Sequence, residues 1–386
     1  MLALKEPSER ATGNEDVIKM LESWLKRAKE HGQIGFAAII AAENLRHVVS
    51  DYAGSMQLAF ALNWGIDTVK YQLLARTHSQ HDNEFESPNS TQADRICYDI
   101  SAGPACYDFI VWLVLAEINR RMHGAPAPLK VGFKMLSTPS ERALHDKERA
   151  PFYKNVIFPS LALVGAVSDV ESTNAPTMEK YTLRPIVEFA RAGVEVPLLT
   201  APADEVAWVQ RFLYGGTDRR APIVITLREV KERWEHRNSN MTEWLKFSEY
   251  LEQKGERVLF VRDTDRAAEK IAGYQICPAA SKDVRVRMAL YEAAKCNLFV
   301  SNGPMVLSLF GSRPWLMFVE TDPMSIFYPE TPQWWKQYQG LDRNGQFPWS
   351  KPNQRIAWKR DNFENIVEAW EKLYPLLDSN VLEAAE

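Results

Sequence analysis

Between residues 223 and 319, short and largely apolar runs alternate with amphipathic stretches of helical length. Residues 223–227, 258–261, 297–300 and 314–319 read as strands, and 241–254, 266–272, 283–295 and 305–310 as helices. Apolar runs of four to six residues without polar alternation are buried on both faces, which a meander of hairpins does not provide. Helical stretches between such strands demand crossover connections, hence a parallel sheet covered by helices. Asn240, three residues before Glu243, has capping-box spacing for the helix over 241–254, and Gly255 stands at its stop.

An earlier series repeats the pattern. Strands are expected at 96–100, 129–135, 161–167 and 196–200, with helices at 107–121, 183–192 and 203–214. The polar, glycine-bearing run 215–221 (GGTDRRA) separates the two series. The predicted fold class is α/β, with two doubly wound Rossmann-like lobes over 94–215 and 216–362. The segment 363–386 carries a last amphipathic helix over 363–376. Residues 1–80 read instead as a small α+β unit, helix–hairpin–helix, joined by a polar linker over 81–93. Its polar residues Glu43, Arg46, His47 and Asp51 fall on a turn and a solvated face, so docking or self-association as a homo-oligomer is its expected role.

Forty-six basic against fifty acidic side chains leave a net charge of −4, which disfavours nucleic acid or anionic lipid as the partner of the whole chain. The longest apolar stretch, 109–118, is too short to span a membrane, and the first sixteen residues lack a secretory core, so a cytoplasmic protein is expected. Cys97, Cys106, Cys277 and Cys296 lack metal-ligand spacing and read as buried thiols. His78 and His81 fall at the edge of the linker, and no P-loop, GxSxG or GxGxxG motif occurs.

Ligands of doubly wound sheets bind beyond the carboxyl ends of the strands, so the residues there carry the chemistry. Asp99 opens a small-residue loop after the first strand, and 101–105 suit an anion cradle or a plain strand-to-helix turn. Arg228, followed by Arg237 and Asn238, offers guanidinium donors to a diphosphate. Asp263-Thr264-Asp265 suits either a divalent metal on a diphosphate or the N-cap of the next helix, the capping role leading. Ser301-Asn302-Gly303-Pro304 combines a glycine that admits a ligand with a helix start that offers free N–H groups. Arg287 and Tyr291, four residues apart, share the face of the preceding helix.

With these motifs in order, VITLRE…RNSN…W (224–244), VLFVRDTD (258–265), RMALYEAAKCNLFVSNGP (287–304) and RPWLMFVE (313–320), the chain from about 94 to 375 resembles fucosyltransferase-like glycosyltransferases of the two-lobed GT-B type. That resemblance implies a second lobe holding a nucleotide-diphosphate sugar, a first lobe holding a hydroxyl acceptor such as a glycan, no metal cofactor, and a terminal helix crossing back to the first lobe. Carried onto this sequence, Arg228 and Arg237 contact the diphosphate, and Arg228 stabilises the leaving group. Asn238, Asp263, Arg287, Tyr291, Ser301, Asn302 and Gly303 line the donor site, and Asp99 is the first candidate base, before Asp108 and His145. The paired arginines of that family are here Arg228-Glu229. The N-terminal hairpin, GFAA…DYAG, resembles small phage and prophage proteins. Two readings stand beside this one: a metal-dependent GT-A-like transferase using Asp263 and Asp265, and a non-catalytic nucleotide-sugar or carbohydrate-binding protein.

Overall fold

The computed structural model describes residues 94–99, 105–134, 151–168, 182–216, 218–231, 235–321 and 331–377. The helix–hairpin–helix and linker expected over 1–93 lie outside them. By its contacts the chain divides into Met1–Ser90 with Ser168–Glu171, and Thr91–Val167 with Ser172–Glu386; the elements below lie in the second unit, Ser168 apart.

The first sheet contains β1 (Arg95–Asp99), β2 (Lys130–Lys134) and β3 (Val167–Ser168), in that order. β1 and β2 run parallel from Arg95 opposite Lys130 to Asp99 opposite Lys134. Between them, α1 (Asp108–Met122) buries ten consecutive residues, Phe109–Ile118. Phe109, Trp112 and Leu113 pack with Tyr98, Val131 and Phe133 of the sheet. The acid in that buried run, Glu117, is neutralised by Arg120 and Arg121 at 2.6 and 2.8 Å.

Two strands expected in this lobe are absent. Residues 161–167 form instead the 3-10 turn Leu161–Val164 that continues the helical turns before it and leads into β3 at Val167; just ahead of it the Ser160 hydroxyl donates to the Ile157 carbonyl at 2.8 Å. A short apolar run does not by itself distinguish strand from buried helix. Residues 196–200 join no ladder, and Pro197 among them has no N–H to give to one. The segment instead bridges the lobes, Leu199 N–H donating to the Phe310 carbonyl (2.8 Å) and Thr200 N–H to that of Leu163 (3.0 Å).

Helices α2 (Arg184–Arg191) and α3 (Ala203–Tyr214) follow. The second lobe then runs β4 (Ile223–Thr226), α4 (Met241–Gln253), β5 (Val258–Val261), β6 (Gln275–Ile276), α5 (Pro278–Lys282), α6 (Val284–Ala293), β7 (Cys296–Val300), α7 (Met305–Leu309), β8 (Trp315–Phe318), β9 (Gln354–Ala357) and α8 (Phe363–Leu373). The six strands are parallel in the order β6-β5-β4-β7-β8-β9. Counted within the lobe this is 3-2-1-4-5-6, the doubly wound dinucleotide-fold order. The strands IVIT, VLFV and WLMF are buried at every position, as a sheet covered on both faces requires. The helix expected at 266–272 is only the 3-10 turn Thr264–Arg266. α3, although drawn from the 94–215 segment, packs against α6 of the second lobe, where Arg285 meets Glu205 at 3.3 Å.

α8 does not carry its apolar stripe to the first sheet. Ile366, Trp370 and Leu373 join Trp244, Phe247 and Leu251 of α4 on the six-stranded core. The starts of α4 and α8 are clasped together. Asp361 accepts from Asn240 N–H and from the Trp244 indole N–H, both at 2.8 Å. Glu243 reaches Phe363 N–H at 2.9 Å, so the expected Asn240–Glu243 capping box gives way to this exchange between helices.

Candidate functional site at the switch point of the second sheet

β4 and β7 lie side by side, yet the chain leaves them in opposite directions, to β5 and to β8. The crevice beyond their carboxyl ends is where a doubly wound sheet holds its ligand. Arg228 stands two residues past the end of β4, and Ser301, Asn302 and Gly303 directly follow β7.

The loop carrying 235–240 folds back over the end of β4. Ser239 N–H donates to the Arg228 carbonyl and the Ser239 hydroxyl accepts from Arg228 N–H, both at 2.9 Å. Asn238 accepts from the Arg228 guanidinium (2.6 Å) and Val230 N–H (3.0 Å), and donates to the Val230 carbonyl (2.8 Å). Its amide therefore aims Arg228 and has little capacity left for a ligand. Arg237 crosses the crevice to the Ser301 carbonyl (3.2 Å) and hydroxyl (3.4 Å).

Glu229 turns away from the crevice. It pairs with Arg262 at 2.9 and 2.5 Å and with Arg266 at 3.1 Å. The acid beside Arg228 thus neutralises the cation that ends β5 and does not cancel charge in the crevice. Asp263 accepts from Glu229 N–H and gives no side-chain cap to the turn behind it. Burial raises its pKa, opposed by that bond and by Arg287 and Arg228. Asp265 is exposed. Among the described residues no three His, Cys, Asp or Glu side chains converge as a metal cage.

Behind the crevice, Arg287 and Tyr291 are each 2% exposed. Arg287 donates to the Ala280 carbonyl at 2.6 Å, and the Tyr291 and Thr226 hydroxyls share a bond of 2.7 Å at the end of β4. Burial works against the charge of Arg287, but its neighbours Tyr107, Tyr291 and Asp263 outweigh this and its pKa is raised. Arg228, by contrast, has its pKa lowered by burial, against the pull of Asp263.

In the turn after β7, Asn302 Oδ1 accepts from Met305 N–H at 3.0 Å, which fixes the amide orientation, and Asn302 Nδ2 is buried without a partner. Gly303 was expected to leave room for a ligand; the room is filled by Tyr107. A Cβ on Gly303 would lie 2.8 Å from Tyr107 Cδ2. The crevice opens on its β7–β9 side into a shallow cleft lined by His236, Arg237, Ser301, Glu320, Trp335, Lys359, Arg360 and Asp361.

The switch point therefore gathers Arg228, Arg237, Asn238, Asp263, Arg287, Tyr291, Ser301, Asn302 and Gly303. Asp99 ends β1 opposite Lys134, and its side chain lies outside the described positions. Asp108 is the first residue of α1 and His145 is outside the described residues. Tyr107 and the run Lys359-Arg360-Asp361 were not foreseen. The latter follows β9 and was accessible to the same strand-end rule, hidden by a tryptophan- and proline-rich surround; no linear signal connects Tyr107 to residue 303.

No family model and no curated protein matches the sequence. Among solved structures, the chain is similar to a family 9 glycosyl transferase from Veillonella parvula, at 13% identity over 72% of this chain and 96% of that one, with a TM-score of 0.40. It is similar to the E. coli heptosyltransferase WaaC with ADP-2-deoxy-2-fluoro heptose, at 14% identity over 74% and 99% of the two chains (TM-score 0.36). It is also similar to E. coli ADP-heptose LPS heptosyltransferase II, at 12% identity over 74% and 77% (TM-score 0.36). The chemistry of the crevice stands on this chain's own residues.

Proposed function

We propose that this protein is a glycosyltransferase that binds a nucleotide-diphosphate sugar at the β4–β7 crevice and transfers the sugar to a hydroxyl acceptor. The observation that carries this reading is the gathering of Arg228, Arg237 and the buried cation Arg287 at the switch point, beside the unclaimed amide N–H groups of Asn302. Cleaving a sugar–phosphate bond places negative charge on the departing diphosphate, and fixed cations at a water-poor edge stabilise charge as it develops. Arginine suits this role because its planar fork matches phosphate oxygens and stays protonated at any working pH.

In the proposed step the acceptor oxygen bonds to the anomeric carbon, the carbon–oxygen bond to the diphosphate breaks with its electron pair leaving on the diphosphate, and the acceptor proton passes to a base. Asp99 is our first candidate for that base, because it ends the first strand of the other lobe. A hexose or deoxyhexose donor, a cytoplasmic site of action and self-association through the N-terminal unit complete the proposal.

The test is a thermal-shift screen against UDP-, GDP- and ADP-sugars, with CMP-sugars, which carry a single phosphate, as the contrast, with and without EDTA. A ligand at a hundredfold excess over its Kd raises stability by about 2.7 kcal/mol. Binding that survives EDTA, followed by release of nucleoside diphosphate when an acceptor is added, supports the proposal. Dependence on manganese would transfer it to Asp263 and Asp265, and binding without release in any acceptor mixture would make the protein a sugar-nucleotide binder.

A further inference from the structure

Gly303 has an ordinary backbone conformation that does not itself demand glycine. What excludes a side chain there is Tyr107: the three atoms nearest to a built Cβ, at 2.8, 3.3 and 3.4 Å, all belong to its ring and Cβ. Tyr107 is the N-cap residue of α1, a helix rooted in the first lobe through Phe109, Trp112 and Leu113. The ring has a second neighbour in the other lobe, since the Arg287 guanidinium carbon lies 6.0 Å from its centroid. Arg287 is tied to Ala280, and one turn further along α6 Tyr291 bonds Thr226, the last residue of β4. One aromatic ring from the first lobe thus touches the turn after β7 and the cation behind the end of β4, the two sides of the crevice.

We propose that Tyr107 is a positioning residue through which the first lobe sets the Ser301–Pro304 turn and holds Arg287 in place, so that anion binding at the crevice depends on contact between the lobes. The mechanical half needs only the contact. The ligand half rests on the nucleotide-diphosphate reading. An aromatic face near a guanidinium attracts it through the ring quadrupole, whereas an aliphatic side chain of similar bulk fills the space without that attraction.

The experiment uses the full chain with Tyr107→Phe, Tyr107→Leu, Tyr107→Ala, Gly303→Ala and the double variant Tyr107→Ala/Gly303→Ala. In thermal melts, Gly303→Ala lowers Tm, and removing the ring relieves the clash, so the double variant melts above the sum of the two single losses. In titrations with ADP, GDP and UDP, using whichever binds the unmodified chain, Tyr107→Phe retains affinity. Tyr107→Leu weakens it about tenfold, the change expected from losing a desolvated cation–π contact, with Tm nearly unchanged.

Additive melting losses overturn the contact. Undiminished binding by a folded Tyr107→Leu variant overturns the coupling to the ligand. If no diphosphate binds the unmodified chain, the nucleotide reading falls while the melting cycle still decides the contact. Should Tyr107→Ala not fold, a cycle of Tyr107→Ser with Gly303→Ala gives the same reading, because serine suits the N-cap position and ends before the Cδ2 atom that lies nearest to residue 303.

Discussion

Two arginines near the ends of neighbouring strands have opposite work. Arg228 leans on Asn238 at the crevice, whereas Arg262 is 4% exposed and spent on Glu229 and the Glu269 carbonyl. Arg228→Ala should therefore weaken nucleotide-diphosphate binding by about 1.5–3 kcal/mol, the value of a charge-assisted contact, with little loss of stability. Arg262→Ala should do the reverse, because it strips Glu229 of its bidentate partner. A destabilisation of about 3 kcal/mol in urea titrations is expected, since removing one member of a buried pair leaves its partner's charge poorly compensated. Equal modest effects of both variants on binding would place Arg228 outside the site.

Lys154, in the helical turn Tyr153–Ile157, adds a pH dependence. Burial, then the charge of Lys282, pushes its pKa down to about 7 from an ordinary 10.5, opposed by Asp283. The folded state loses this proton first as pH rises, so between the two values the unfolded chain binds more protons and stability increases with pH. Melting curves at pH 7 and pH 9 should show the unmodified chain gaining on Lys154→Met. Parallel shifts in the two proteins would show that this lysine titrates normally.

Among the elements, α4 and α8 depend on each other more than on intrinsic helix propensity. Asp361→Ala removes the acceptor of two N–H groups at once. It should cost about 2–4 kcal/mol, read by denaturant titration followed by tryptophan fluorescence. Trp370→Ala, which empties a fully buried site in the same seam, should cost about 3–5 kcal/mol. The periodicity of both helices was legible because their apolar stripes recur every three to four residues. Their capping was not, because Asn240 and Glu243 have the spacing of a local box while their partners are 121 and 120 residues away. β4 and β5 were legible because β-branched and aromatic runs between polar turns admit few other conformations; 161–167 failed because an equally apolar run, here coiled as the 3-10 turn Leu161–Val164, does not by itself tell strand from buried helix. The residues that gather at the crevice followed from reading strand ends. Tyr107 escaped because its role depends on how two lobes meet, which no local pattern encodes.

For the molecule as a whole, both sheets, Ser168 apart, fall in one contact unit, while residues 1–90 form another with Ser168–Glu171. We expect deletion of residues 1–90 to alter the association state, measured by light scattering, more than nucleotide affinity, measured by titration. A shortened chain that remains folded but no longer binds would show that the N-terminal unit belongs to the site.

The strand order of the second sheet has a consequence for how the chain is made. β4 comes first, yet it occupies an interior position, with Ile223 opposite Val258 on one side and Cys296 on the other. During synthesis one flank of β4 can be paired as soon as β5 emerges, but the other stays open until β7 follows. Such non-local pairing makes folding slow and leaves strand edges transiently exposed. α8, the last described helix, carries Trp370, Ile366 and Leu373 into the layer formed with α4. A nascent chain stalled before residue 363 would hold all six strands with the face beside α4 only partly covered, so premature termination there should yield a sticky intermediate dependent on chaperones.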